Sequence, residues 1–156
     1  IAAAMEGLIR RVPSIAISQN YESGKKNEIL WDASQTHLGK ILENITQIGW
    51  DDSVFMSINF PHCGANEIKD IQITTQGNRD TDDLVIYEKE RNVFRFGLRR
   101  RLEESVVEVP PAVNNSVEGF MTDVEAVADM HISITPLHLD LTHTSSLKSL
   151  KKGIKQ

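Results

Sequence analysis

Adjacent carboxylates are the first candidates for chemistry in this chain. Asp51-Asp52 and Asp82-Asp83 each place two acidic side chains together, and such a pair can bind a hard divalent cation that orients a phosphate. Both pairs also lie where turns form: Asp51-Asp52 between a helical and an extended stretch, Asp82-Asp83 in a polar run. They read as solvated turn residues, and neither is assigned to a site. His138, Asp140 and His143 offer imidazole and carboxylate ligands of the kind zinc takes, but their spacing matches no zinc motif. They follow Pro136 in a loop, which favours hydrogen-bonded surface or interface groups. His62-Cys63 is a pair along the chain only, whereas nucleophile and base are assembled in space. Arg99-Arg100-Arg101 has the guanidinium forks that grip phosphate or carboxylate, yet Glu103-Glu104 follows at once. That balance favours solvated or inter-subunit ion pairs over a nucleic-acid patch. The sequence holds no Gly-rich phosphate loop, Gly-x-Ser-x-Gly elbow or Cys-x-x-Cys pair. From residue types and spacing alone, no catalytic, cofactor-binding or metal-ligating residue is assigned.

The elements that would carry any site alternate between helix and strand. Ile1 to Ile9 reads as helix interior without a capping Ser, Thr, Asp or Asn before it, so the expectation is a chain whose first helix begins upstream. Val12 to Ser18 then reads as a buried strand. Leu30, Trp31, Leu38, Ile41, Leu42, Ile45 and Ile48 recur at three- and four-residue spacing, which predicts one apolar face of a helix ending near Gly49. Val54, Met56, Ile58 and Phe60 alternate with more polar neighbours up to Pro61, and Ile68, Ile71 and Ile73 mark a further extended segment. Leu84 to Tyr87 and Val93 to Phe96 flank turn-forming residues and predict a hairpin arm over about 84–98. An isolated two-stranded ribbon is marginal in water, so this arm is expected to dock on the domain or on another subunit. A short helix from about Thr122 to Ala128, a strand from His131 to Thr135 closed by Pro136, and a weak basic helix from Leu147 to Lys155 complete the pattern.

With 156 residues, 40% hydrophobic content, 25% charged residues and a net charge of -5, the chain suits one α/β domain over 1–156. The acidic balance gives no bulk attraction to nucleic acid or to an anionic membrane. No run approaches the roughly 18 apolar residues that span a bilayer, and Cys63 is a lone cysteine without an internal partner. A reducing, cytoplasmic setting is the expectation.

Four stretches resemble the C-terminal portion of the SurE family of stationary-phase survival phosphatases. They are Ala2 to Gly7 with Val12 to Ser18, Met56 to Pro61, Ile73 to Arg79, and Thr122 to Thr142. The last is the most specific, with Thr122-Asp123-x-x-Ala126-Val127 followed by Ile132-Ser133-Ile134-Thr135-Pro136-Leu137-x-x-Asp140-Leu141-Thr142. The resemblance covers about Ala2 to Thr142 and implies a Rossmann-like α/β fold, a β-hairpin arm and a C-terminal exchange element over about 131–156. It also implies a homodimer or homotetramer that hydrolyses nucleoside 5'-monophosphates with a divalent metal, Mg²⁺ or Mn²⁺. The family's metal ligands, an Asp-Asp pair after the first strand, a Ser and an Asn, precede the position of Ile1. Neither Asp51-Asp52 nor Asp82-Asp83 stands in an Asn-Asp-Asp-Gly context. The expectation is therefore a chain that binds no metal by itself and belongs to a 5'-nucleotidase, the alternative being a non-catalytic oligomerisation module of the same fold. Two departures stand out: His131 replaces an aromatic residue, and Asp129-Met130 stands where the family commonly has Gly.

Overall fold

The computed structural model describes residues 1–21, 29–77 and 117–154 in full, and residues 84–88 and 94–98 as backbone strands. In chain order the elements are α1 (Ala2–Ile9), β1 (Ile15–Gln19), α2 (Asp32–Ile48), β2 (Val54–Phe60), β3 (Ile71–Ile73), β4 (Leu84–Glu88), β5 (Phe94–Leu98), α3 (Asp123–Ala128), β6 (Ile132–His138) and α4 (Thr144–Gly153). Four strands form one mixed sheet in the order β1-β2-β6-β3. β1 runs parallel to β2, β6 antiparallel to β2, and β3 parallel to β6. β4 and β5 pair antiparallel, with Leu84 opposite Leu98 and Glu88 opposite Phe94, which is the expected hairpin. Arg99 to Arg101 and Asp82-Asp83 lie outside the described residues.

Period-two alternation divides the sheet into two unlike faces. Met56, Ile58 and Phe60 of β2, Ile132 and Ile134 of β6, and Ile15 of β1 join Ala33, Ile41 and Ile45 of α2 in the main core. On the opposite face α1 sets Ala4 and Leu8 against Phe55, with Ala16 and Leu137 beside them. Beyond Phe55 this second face turns polar. Ser57 pairs with Thr135, and Asn59 with Ser18 on one side and Ser133 on the other. Ser57, Ser133 and Thr135 are buried nonetheless. Thr74 closes the row: its Oγ1 lies 2.8 Å from Ser133 Oγ and 2.7 Å from Thr135 Oγ1. These hydroxyls can be buried because they satisfy one another.

Three expectations are corrected. The Val12 to Ser18 run is not a buried strand: β1 starts at Ile15, pairs with β2 alone among the described residues, and leaves Ile17 46% exposed. Arg11, at a positive φ of 58°, turns the chain after α1 and delays extension until past Pro13. Pro136 does not close its strand, since β6 continues to His138 with Pro136 opposite Met56. Ile132 N–H and Ile134 C=O bond toward the β3 side, to Asp70 O and Thr74 N. The Pro136 nitrogen faces that same side, past the end of β3, where no ladder bond is lost. Finally, Leu30, Trp31 and Ile48 do not join the core face of α2, and Ile48 is 83% exposed. β3 is only three residues long, so the last turn of α2 overhangs an apolar groove of about 240 Å³ lined by Ile45, Ile48, Ile71, Ile73 and Pro136. The helix ends as expected at Gly49, whose φ of 69° suits a residue without a Cβ.

α3 is set by its ends. Thr122 Oγ1 accepts from Glu125 N, and Thr122 N–H donates to the Glu125 carboxylate, a reciprocal capping box. At the far end Met130 N–H donates to Val127 O and His131 N–H to Ala126 O, the paired bonds of a Schellman stop. Met130 takes a φ of 60° there, so the turn that glycine would favour forms without glycine.

Candidate functional site

The two parallel strands β1 and β2 end together at Gln19 and Phe60, and α3 passes beside them. A cleft of about 680 Å³ opens at this end. Ligands of open α/β sheets bind at the carboxyl ends of parallel strands, and this volume falls within the range of small-molecule sites.

Alternation positions the polar lining. Ser18 and Asn59 are register partners, and Ser18 Oγ donates to Asn59 Oδ1 at 2.5 Å. Gln19 Nε2 donates to Pro61 O at 2.7 Å, and its Oε1 is buried without a hydrogen-bond partner among the described residues. Asn20 N–H continues the ladder to Phe60 O at 2.8 Å, and Asn20 Oδ1 accepts from Tyr21 N at 3.0 Å. From the other side α3 presents Asp123, Val124 and Val127. Asp123 is fixed by Gly77, whose N–H donates to Asp123 Oδ1 at 2.7 Å. The approach is close: a Cβ at Gly77 would lie 3.0 Å from Thr122 Cβ, Asp123 Oδ1 and Val124 Cγ2. The cleft thus combines one carboxylate, three carboxamides and two hydroxyls, from Ser18 and Tyr21, with apolar Val124 and Val127 on α3.

None of these residues was singled out by type and spacing. Ser18, Asn59 and Asp123 sit inside the stretches that carry the family resemblance, and the available signal was their place at strand ends and beside the Thr122 cap. The residues that looked chemical in the sequence go elsewhere. Asp51 and Asp52 precede β2, at the opposite end of the sheet from the cleft. Asp51 Oδ1 accepts from Ser53 N at 2.7 Å and from Ser53 Oγ, and these bonds hold its carboxyl below the usual range. His138, Asp140 and His143 are exposed and spent on local bonds. His138 Nδ1 accepts from Asp140 N at 3.1 Å, Asp140 Oδ1 accepts from Thr142 N at 2.8 Å, and His143 Nδ1 pairs with Ser146 Oγ at 2.6 Å. Cys63 is buried, and burial, with the Glu67 carboxylate second, pushes its thiol up, away from a nucleophilic thiolate. Asp82-Asp83 and Arg99 to Arg101 lie outside the described residues. Among the described residues no group of three or more His, Cys, Asp or Glu side chains converges to hold a metal ion. They do not fit the divalent metal that the resemblance implies, and no helix among them is long and apolar enough to cross a membrane.

The family described as Survival protein SurE matches residues 1–83. The 5'-nucleotidase SurE of Beijerinckia indica subsp. indica is 34% identical over 156 residues, which cover 99% of this chain and 56% of that protein. The 5'-nucleotidase SurE of Hyphomonas neptunium is 35% identical over 159 residues, covering 98% and 57%. The crystal structure of SurE protein from Aquifex aeolicus superposes with a TM-score of 0.65 at 27% identity, over 97% of this chain and 55% of that one. The chain spans about half the length of the curated relatives it matches. On the family match over more than half of its residues, carried through by relatives that align with almost all of it, the chain belongs to the SurE family.

Proposed function

We propose that this chain is part of a cytoplasmic 5'-nucleotidase that hydrolyses nucleoside 5'-monophosphates with Mg²⁺ or Mn²⁺. Residues 1–156 form one unit of it, and the metal-holding residues lie outside this chain. The supporting observation is the continuous match, over 99% of the chain, to a relative named 5'-nucleotidase SurE.

The test compares this chain with an extended form carrying an Asn-Asp-Asp-Gly segment upstream of Ile1, both assayed on nucleoside 5'-monophosphates with added Mg²⁺ or Mn²⁺. Hydrolysis by the extended form alone is the expected result. Silence of the extended form with every nucleotide and both metals overturns the reading. Hydrolysis by the chain alone overturns the placement of the metal residues.

The protein acts as a homodimer or homotetramer in this proposal, with α4 exchanged onto a second copy. Every residue of α4 is exposed, including Leu147 at 54% and Leu150 at 57%. A helix of 10 residues is marginal in water without a packing surface, and the groove beside Ile48 is an apolar surface left open on the same chain. Light scattering of the protein against a form ending at Asp140 reads this directly. Loss of the oligomer on removal of α4 supports it, and an unchanged mass overturns it.

A further inference from the structure

We infer that the cleft at the carboxyl ends of β1 and β2 holds the nucleoside end of the substrate, with Ser18, Asn59 and Asp123 contacting sugar hydroxyls and base edge. This deepens the proposed function and rests on it for the substrate class. Three observations on the cleft carry the inference. First, its charged lining group is the Asp123 carboxylate, which accepts from hydroxyl or amino donors and repels a phosphoryl dianion. The phosphoryl group therefore points away from α3. Second, Asn59 has unspent capacity: its Oδ1 takes the Ser18 proton, and among the described residues its Nδ2 has no partner and can donate to a ligand. Third, Val124 and Val127 of α3 give the cleft an apolar surface against which the face of a base packs.

The architecture holds these groups in register. Ser18, Asn59 and Ser133 lie side by side on three neighbouring strands, and Ser133 is tied through Thr74 to Thr135 in the buried hydroxyl knot. Asp123 is placed by its bond from Gly77 and by the Thr122 cap. The lining is built on strand ends and a capped helix, which positions it more sharply than loops would.

The experiment is a titration of the chain with adenosine, with uridine and with inorganic phosphate, followed by backbone amide NMR. Saturable shifts at residues 18–20, 59 and 123–127 with a nucleoside, and none there with phosphate, are expected. Ser18→Ala and Asn59→Ala should each weaken nucleoside binding about fivefold to tenfold, the loss of one net hydrogen bond. Ser18 is exposed, so its substitution leaves folding intact, and the wild-type shift map stands without any variant. Nucleoside shifts elsewhere, phosphate shifts at the same amides, or variants that bind like the wild type overturn the inference. The hydrolysis assay above separates the two readings: nucleotide turnover by the extended form without nucleoside shifts at the cleft sinks this inference alone. Nucleoside shifts at the cleft without turnover sink the enzymatic reading and leave a nucleoside-binding site.

Discussion

Thr74 Oγ1 lies 2.7 Å from Thr135 Oγ1, both side chains buried, and the same oxygen reaches Ser133 Oγ at 2.8 Å. Thr74 immediately follows β3, and Ser133 and Thr135 belong to β6, so one hydroxyl joins the end of the edge strand to the strand at the sheet centre. Without Thr74 the other two side-chain oxygens have, among the described residues, only their mutual contact at 3.4 Å. Thr74→Val keeps shape and deletes the hydroxyl. It is expected to cost about 1–3 kcal/mol, the penalty for buried polar groups left unpaired. Thr74→Ser should recover most of it. Urea unfolding reads the effect as a lower midpoint at constant slope.

Met130 occupies the left-handed position of the Schellman stop with φ at 60° and is 43% exposed. A side chain there costs energy that glycine avoids, although glycine also enlarges the entropy of the unfolded chain. Met130→Gly should raise stability by about 0.5–1 kcal/mol after that offset. A thermal midpoint below that of the parent protein contradicts the left-handed assignment.

Gly77 allows the Asp123 carboxylate to approach the backbone. Gly77→Ala places a Cβ 3.0 Å from atoms of Thr122, Asp123 and Val124, and the start of α3 must move. The expected cost is about 1–3 kcal/mol, as for other overpacked positions. Amide shifts at 123–127 should change even where the protein remains folded, because the same contact sets one wall of the cleft.

Acid should destabilise the fold through its hydrogen-bonded carboxylates. Glu125 is held below its usual 4.5 by the backbone and then the side chain of Thr122. Asp129 is held below 3.8, first by its hydrogen bond from Lys69 and further by Lys69 and His131 charge. A carboxyl with a depressed pKa in the folded state binds protons more readily when unfolded. Its contribution to stability is complete above the unfolded value and disappears as pH falls through the folded one. The thermal midpoint should therefore fall as pH drops below about 4.5, and Glu125→Gln should flatten part of that fall. A midpoint that rises between pH 5 and pH 3 contradicts the capping geometry.

The sequence by itself determined the order of helices and strands, because apolar spacing is local: Ile41 and Ile45 on α2, Met56, Ile58 and Phe60 on β2, and the Thr122 cap on α3 are all legible within a few residues. It also carried the SurE resemblance, since MSINFP and the Thr122 to Thr142 stretch are contiguous. Tertiary structure alone decided what those elements build. Pro136 continues a strand because β3 has already ended beside it, and Ile48 is exposed because the short β3 leaves the end of α2 overhanging a groove. Neither fact is written near the residue concerned. The candidate site follows the same logic. Ser18, Asn59 and Asp123 are separated by long intervals of sequence and meet because a parallel register and a capped helix bring them to one end of the sheet. Of the residues that looked chemical, Asp51, His138, Asp140 and His143 are bound by neighbours two or three positions away, which satisfies them where they stand. Local patterns fix elements, whereas a site requires long-range pairing, and only the packed sheet specifies that.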